Sequence, residues 1–202
     1  MFDLPTDLPA DLAPLSWLVG IWEGTGVIDY DDHAFTGEFS HRVSFSHDGG
    51  DYLNYSASAW LQGAAAADEA PATLLVAEMG YWRLARPATD ADAGPGLLPP
   101  AAAAVPRTAD DVEALRNPAG GFDIEVSLVH ADGVSELYLG QIKGPRIDIA
   151  TDAVVRPAGA KTYAAASRMY GLVDGHLLWA WDMAALGREL AAHASARLAR
   201  VE

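Results

Sequence analysis

Gly-Ile-Trp-Glu-Gly-Thr-Gly, at residues 20–26, is the stretch that decides the fold of this chain. A run in which three glycines surround one tryptophan lacks helix formers and is typical of a strand that bends sharply. Such a tryptophan can close one end of a small β-barrel, and the glycines let a neighbouring backbone approach closely. The stretch therefore predicts an all-β fold with a structural motif formed by Gly20, Trp22, Gly24 and Gly26.

Most of the remaining chain is typical of short strands separated by turns. In residues 39–46 aromatic, histidine and valine side chains alternate with serine and arginine, which is the period of a strand. A turn signal follows at residues 47–51, and similar signals separate strand-like runs at 121–129, 133–142, 146–154 and 161–172. Many short strands joined by short turns predict an antiparallel barrel or sandwich.

Alanine-rich regions interrupt this pattern. Residues 63–72 are one such region, and residues 85–121 combine alanine with several prolines. Because proline removes backbone donors, the second region is no sheet interior. We interpret it as an insertion of about residues 85–120 on a single domain spanning residues 1–202, with a short helix near residues 109–115. A domain boundary within the insertion is the alternative.

The C-terminal residues 189–200 permit two interpretations. Apolar residues recur every four positions and the composition favours a helix. A barrel, in contrast, needs a closing strand at this point. At the other end of the chain, residues 11–15 predict a short helical turn that caps a barrel mouth.

The composition excludes several classes of function. The formal net charge of −15 argues against partners such as nucleic acid and anionic membrane surfaces. No cysteine is present, which excludes disulfides and thiolate metal sites. No apolar run is long enough to span a membrane, and the first residues do not resemble a signal peptide. We therefore expect a cytoplasmic protein that binds small molecules, and the sequence leaves a homodimer open.

Short motifs occur along the chain in a characteristic order: Gly-x-Trp-x-Gly-x-Gly at 20–26, Val-Ser-Phe-Ser-His at 43–47, Glu-Met-Gly-Tyr-Trp-Arg at 78–83, Tyr-Gly-Leu-Val-Asp-Gly at 170–175 and His-x-Ser-Ala-x-Leu at 193–198. In this order they resemble the nitrobindin family, whose members are small haem proteins built on a barrel like that of lipocalins and fatty-acid-binding proteins. The resemblance spans most of the chain and leaves the alanine- and proline-rich insertion outside it.

The resemblance implies an up-and-down antiparallel barrel of about ten strands, with the C-terminal segment as a strand and a short N-terminal helical turn. It also implies a ferric haem b that reversibly binds nitric oxide and isomerises peroxynitrite to nitrate. The residue matching the proximal iron ligand of the family is His193. His193 is thus the predicted metal ligand and catalytic residue.

Further cofactor-binding residues follow from the same resemblance. Met183 matches a methionine that packs on the haem face, although a core role is equally compatible with it. Lys161 matches a lysine that contacts haem and could pair with a propionate, the alternative being a solvated strand end. Many relatives carry a distal histidine where this chain has Leu75 and Val76, so we expect a purely apolar distal wall.

The remaining histidines are predicted to play no part in iron binding. We expect His33 and His130 to be solvated, His176 to be exposed, and the other two, His41 and His47, to be structural. The alternative function is a haem-free carrier of a small apolar ligand such as a fatty acid. Such a carrier usually needs an internal arginine or tyrosine for the carboxylate, and the candidate arginines are Arg42, Arg83 and Arg168.

Overall fold

The computed structural model describes residues 8–30, 35–62, 73–103 and 105–201. Within them, ten antiparallel strands form one closed up-and-down barrel, in which each strand pairs with its sequence neighbours and β1 also pairs with β10. The strands are β1 (Gly20–Tyr30), β2 (Phe35–Ser46), β3 (Tyr52–Gln62), β4 (Leu74–Leu84), β5 (Phe122–His130), β6 (Ser135–Lys143), β7 (Arg146–Val155), β8 (Tyr163–Val173), β9 (His176–Ala185) and β10 (Ala191–Arg200). The predicted barrel is confirmed. Residues 63–72 and His33 lie outside the described residues.

The glycines of the N-terminal motif permit the close contact that closes the barrel. Along the β1–β10 pairing, a Cβ atom on Gly24 would lie 2.2 Å from the carbonyl oxygen of Arg197. A Cβ atom on Gly26 would lie 2.3 Å from the carbonyl oxygen of Ser195. These distances are far below van der Waals contact, so only glycine fits at either position.

The C-terminal segment is a strand, and its helical interpretation is wrong. β10 pairs with β1 on one side and β9 on the other, which satisfies the backbone groups of both neighbours. Its interior side chains Ala196 and Leu198 are buried in the barrel core. Tertiary pairing therefore overrides the helical propensity of an alanine- and leucine-rich sequence.

Trp22 closes one end of the barrel. Its side chain is completely buried, its Nε1 donates to the carbonyl oxygen of Leu18 at 2.8 Å, and the Arg200 guanidinium lies 4.6 Å from the ring centroid. A 3₁₀ helix, Ala10–Leu18, precedes β1 and buries three leucines in the same core. The expected helical turn is therefore present, but it covers the end of the barrel where β1 begins and not the open mouth.

The insertion covers the same closed end. Its described residues contain no strand of the barrel wall, and one short helix, α1 (Ala109–Glu113), begins with a capping box at Thr108. Val112 of α1 is buried in the core, and Arg107 pairs with Asp11 of the 3₁₀ helix at 3.4 Å. None of the helices in the described ranges is long and apolar enough to cross a membrane.

Candidate functional site

The end of the barrel opposite Trp22 contains a cavity of about 450 Å³. Its volume falls within the range of about 300–1,000 Å³ that small-molecule sites occupy. The five residues that the resemblance assigns to cofactor binding all line this cavity: Leu75, Val76, Lys161, Met183 and His193. The strands thus bring together residues more than 100 positions apart in the sequence. In the described part of the chain, no residue of the insertion lines the cavity.

A β-bulge directs His193 into the cavity. On β10 the register passes from Ala192, opposite Asp182, to Ala194, opposite Trp181, so His193 is the extra residue of the bulge. Bulges of this kind reorient a side chain without changing the pairing of the remaining strand. His193 and Ala194 consequently both line the cavity, although consecutive residues of a regular strand face opposite sides.

A second bulge has the same effect on β4. Ala59 pairs with Val76 and Trp60 pairs with Leu74, which leaves Leu75 as the extra residue. Leu75 and Val76 therefore both contact the cavity from a strand that lies nearly opposite β10 in the ten-strand circle. A β-bulge therefore directs both the predicted ligand, His193, and the predicted apolar residue Leu75 into the cavity from different strands.

The surroundings of His193 favour a neutral imidazole. Burial lowers the pKa of His193 below the ordinary value for histidine, because the charged form loses its hydration. The ring packs edge-on against Trp181, with 5.6 Å between centroids and an interplanar angle of 81°. A neutral imidazole is the form that binds a metal ion, so the lowered pKa of His193 favours metal binding.

The cavity also has a polar side, which was not predicted from the sequence. His130, Asp132 and Tyr163 contribute to its lining together with the apolar residues. The expectation of a solvated His130 is wrong, since only 13% of its side chain is exposed. As the last residue of β5, it continues the inward-facing series of alternate residues and pairs in register with Glu78. The expectation of a purely apolar wall is corrected accordingly.

Glu136 lies at the centre of this polar side. It is 3% exposed, its Oε2 lies 2.6 Å from His130 Nε2, and its Oε1 accepts hydrogen bonds from the hydroxyls of Tyr138, at 2.7 Å, and Tyr163. Burial alone would raise the pKa of Glu136. The hydrogen bond from His130 and the charge of Arg168 outweigh burial, so that the pKa is lowered and the carboxylate is ionised.

Arg168 pairs with both buried carboxylates and offsets one of their two negative charges. Its Nη1 and Nη2 donate to Oε1 and Oε2 of Glu78 at 2.6 and 2.9 Å, and its guanidinium lies 4.5 Å from the ring centroid of Trp181. Burial on its own would raise the pKa of Glu78, but Arg168 lowers it to about 2. The potential ligand atoms of Glu78, His130 and Glu136 lie within 4.8 Å of one another. Since Arg168 already supplies a positive charge, we interpret the cluster as an ion-pair network.

The other candidate residues lie away from the cavity wall or face outward. Arg42 and Arg83 are exposed and pair with Glu23 and Glu125 on the outer surface of the barrel. Of the three candidate arginines only Arg168 faces inward, where Glu78 binds it. His41 is buried and structural, with its Nδ1 3.1 Å from the carbonyl oxygen of Ser58. No arginine among these three is placed to receive a fatty-acid carboxylate.

A closed antiparallel barrel whose mostly apolar internal cavity is lined by the neutral imidazole of His193 defines a class of small-ligand-binding barrels. Residues 11–200 match the family described as THAP4-like, heme-binding beta-barrel domain, and the chain belongs to that family. The family resemblance seen in the sequence motifs is thereby confirmed.

Two relatives match the chain over its whole length. It is 61% identical to a protein of Leifsonia xyli subsp. xyli (strain CTCB07) and 57% identical to one of Clavibacter michiganensis subsp. michiganensis (strain NCPPB 382), each match covering 100% of both sequences. Both of these proteins are named peroxynitrite isomerase. The crystal structure of Rv2717c from M. tuberculosis superposes with a TM-score of 0.65 at 24% identity, covering 99% of this chain and 100% of that one. This structural likeness supports the barrel fold.

Proposed function

We propose that this protein is a haem-dependent peroxynitrite isomerase that binds ferric haem b through His193 and also binds nitric oxide reversibly. The observation that carries the proposal is the bulge that presents His193, with a lowered pKa, to a mostly apolar cavity. The relatives named peroxynitrite isomerase support the same activity.

The residues of the cavity fit a haem group. Haem needs one neutral imidazole as an axial ligand, apolar contacts for the ring and a polar contact for its propionates. His193 supplies the first, and we assign the iron to its Nε2, since Nδ1 is buried in the protein. Leu75, Val76 and Met183 supply apolar contacts, and Lys161 supplies a cation at the same cavity.

In this proposal the protein binds the haem, orients the ring of His193 and excludes water from the apolar part of the cavity. Ferric haem, when bound, supplies an iron centre that binds peroxynitrite and allows its atoms to rearrange to nitrate. Trp181 holds the plane of the His193 ring through an edge-on contact. Leu75 and Val76 carry no donor atom, so these two residues would leave a bound iron open to a small ligand.

Haem titration followed by absorbance tests the proposal. Wild-type protein should develop a Soret band with a stoichiometry of about one haem per chain, and His193→Ala should lose both the band shift and the peroxynitrite-to-nitrate activity. His176→Ala is the matched control, since His176 lies outside the cavity lining and should bind haem as wild type does. An unchanged spectrum in His193→Ala would assign the iron to another residue.

The haem-free carrier is the alternative that this titration also decides. A wild-type protein without a Soret band, but with measurable binding of a fatty acid, would favour the carrier. The pairing of Arg168 with Glu78 opposes that outcome, because the buried guanidinium has no free charge for a second carboxylate. We further propose that residues 1–202 form one domain. A cytoplasmic location, a homodimer and the lack of nucleic-acid and membrane partners stay predictions from the sequence.

A further inference from the structure

His130 and Glu136 form a hydrogen-bonded dyad at the wall of the cavity. Glu136 is ionised and can only accept, so the hydrogen in the 2.6 Å contact belongs to Nε2 of His130. In the tautomer of a neutral imidazole that carries its hydrogen on Nε2, the lone pair is on Nδ1, to which no group in the described ranges is hydrogen-bonded. The ring also stacks on Trp181 at an interplanar angle of 28°, which fixes its plane.

This arrangement is that of a general base with an orienting carboxylate. A carboxylate that accepts from one imidazole nitrogen fixes the tautomer and stabilises the imidazolium that forms when the other nitrogen takes a proton. Glu136 and Glu78, at 2.6 and 3.5 Å from Nε2, provide this stabilisation. The remaining titratable or charged groups around His130 are Tyr163 and Arg168 of β8, and Asp132 and Lys161 at the cavity lining.

His130 and His193 share one cavity and one aromatic neighbour. Trp181 contacts the ring of His193 edge-on at 5.6 Å and the ring of His130 face-on at 6.5 Å. Both imidazoles therefore contribute to the lining of the cavity that would hold a small ligand. Only one of them is needed for iron.

We propose that His130 is a catalytic base that takes the proton of peroxynitrous acid, the protonated form of the substrate. The inference rests on the proposed function. In this step the O–H bond of the acid breaks, its electron pair stays on oxygen, and an N–H bond forms at Nδ1. The products are the peroxynitrite anion, which isomerises, and an imidazolium paired with Glu136. The proton leaves to solvent after nitrate departs.

The base is tested with a ligand whose chemistry requires the same proton transfer. Hydrogen cyanide is a weak acid that binds ferric haem as the anion, whereas nitric oxide binds without losing a proton. Stopped-flow absorbance would measure the association of each with haem-loaded wild type, His130→Gln and His130→Phe. Glutamine keeps an N–H for Glu136, and phenylalanine keeps a ring against Trp181, but neither offers a base. His176→Gln is the matched control.

We expect both His130 variants to bind cyanide at least about tenfold more slowly at neutral pH, in line with the contribution of a positioned base. Nitric oxide association should be unchanged, and the isomerase activity of the haem-loaded variants should fall. If a haem-loaded variant binds cyanide as fast as wild type does, the inference about His130 is wrong, but the proposed function is unaffected. Equal slowing of cyanide and nitric oxide also overturns the inference, since it indicates a distorted cavity. A wild-type protein that binds no haem overturns the proposed function itself.

Discussion

The buried His41 should make the stability of the barrel strongly pH-dependent. Burial lowers its pKa from 6.5 to about 4, and this effect exceeds the opposing influence of Glu78 and of the hydrogen bond to Ser58. The unfolded chain therefore binds a proton at a higher pH than the folded one. The stability associated with neutral His41 is complete above pH 6.5 and is lost progressively as the pH falls towards 4.

The size of this effect follows from the shift in pKa. A difference of one pKa unit corresponds to about 1.4 kcal/mol, so lowering the pKa from 6.5 to about 4 gives about 3 kcal/mol. This loss is a large fraction of the 5–15 kcal/mol that typically stabilises a domain, about half or more at the lower end of the range. The ring of His41 also packs against Trp179, with 4.9 Å between the ring centroids. A charged ring in this position would have lost its hydration shell.

Urea denaturation of the haem-free protein at pH 7.5, 5.5 and 4 measures the effect. His41→Asn is the comparison, since an asparagine amide can donate to Ser58 in place of Nδ1 but does not titrate. We expect the variant to be less stable than wild type at pH 7.5 and to lose about 3 kcal/mol less between pH 7.5 and 4. Carboxylates contribute equally to both proteins. Parallel pH profiles for the two proteins would refute the reasoning.

Three further predictions concern the walls and the closed end of the barrel. Trp22→Ala should lower the unfolding free energy by about 3–5 kcal/mol, as for other buried aromatic residues, and a loss below about 1 kcal/mol in urea melts would contradict its role as a plug. Gly24→Ala should cost about 1–3 kcal/mol or more because its Cβ meets backbone at 2.2 Å, whereas Gly159→Ala, with nothing within 4 Å, should be nearly neutral in the same melts. Arg168→Met should cost about 3–5 kcal/mol by leaving buried carboxylates unpaired, and adding Glu78→Gln should recover part of that loss in a double-mutant cycle; strict additivity would disprove the coupling.

Most of the fold could be predicted from the sequence because the backbone contacts that close the barrel require glycines in a recognisable motif. The glycines at positions 24 and 26 are visible as a motif, and their role in close backbone approach follows from the missing side chain. The strand at residues 191–200 was different, since its own composition favours a helix. Only the need to close a barrel, implied by the family resemblance, gave the right answer there.

The candidate site was less predictable than the fold. A bulge is a single extra residue, and in a strand as rich in alanine as β10 it leaves no break in the alternation that could reveal it. The network around Arg168 was not predicted for another reason. Glu78 is 90 positions away, and no local sequence pattern indicates that the two residues pair. The polar residues of β5 and β6 alternate with apolar ones, but the sequence alone does not say which face a terminal histidine such as His130 occupies.

The separation of the two ends of the barrel makes the insertion a convenient attachment point for an optical label. The chain contains no cysteine, so one introduced thiol would be its only reactive sulfur. Val105 is 80% exposed, and it belongs to the insertion, whose described residues do not line the cavity. A fluorophore coupled at Val105→Cys would therefore report on the tumbling or surface immobilisation of the protein while leaving the cavity unobstructed. Anchored through this label, the barrel would keep its cavity free for a small ligand.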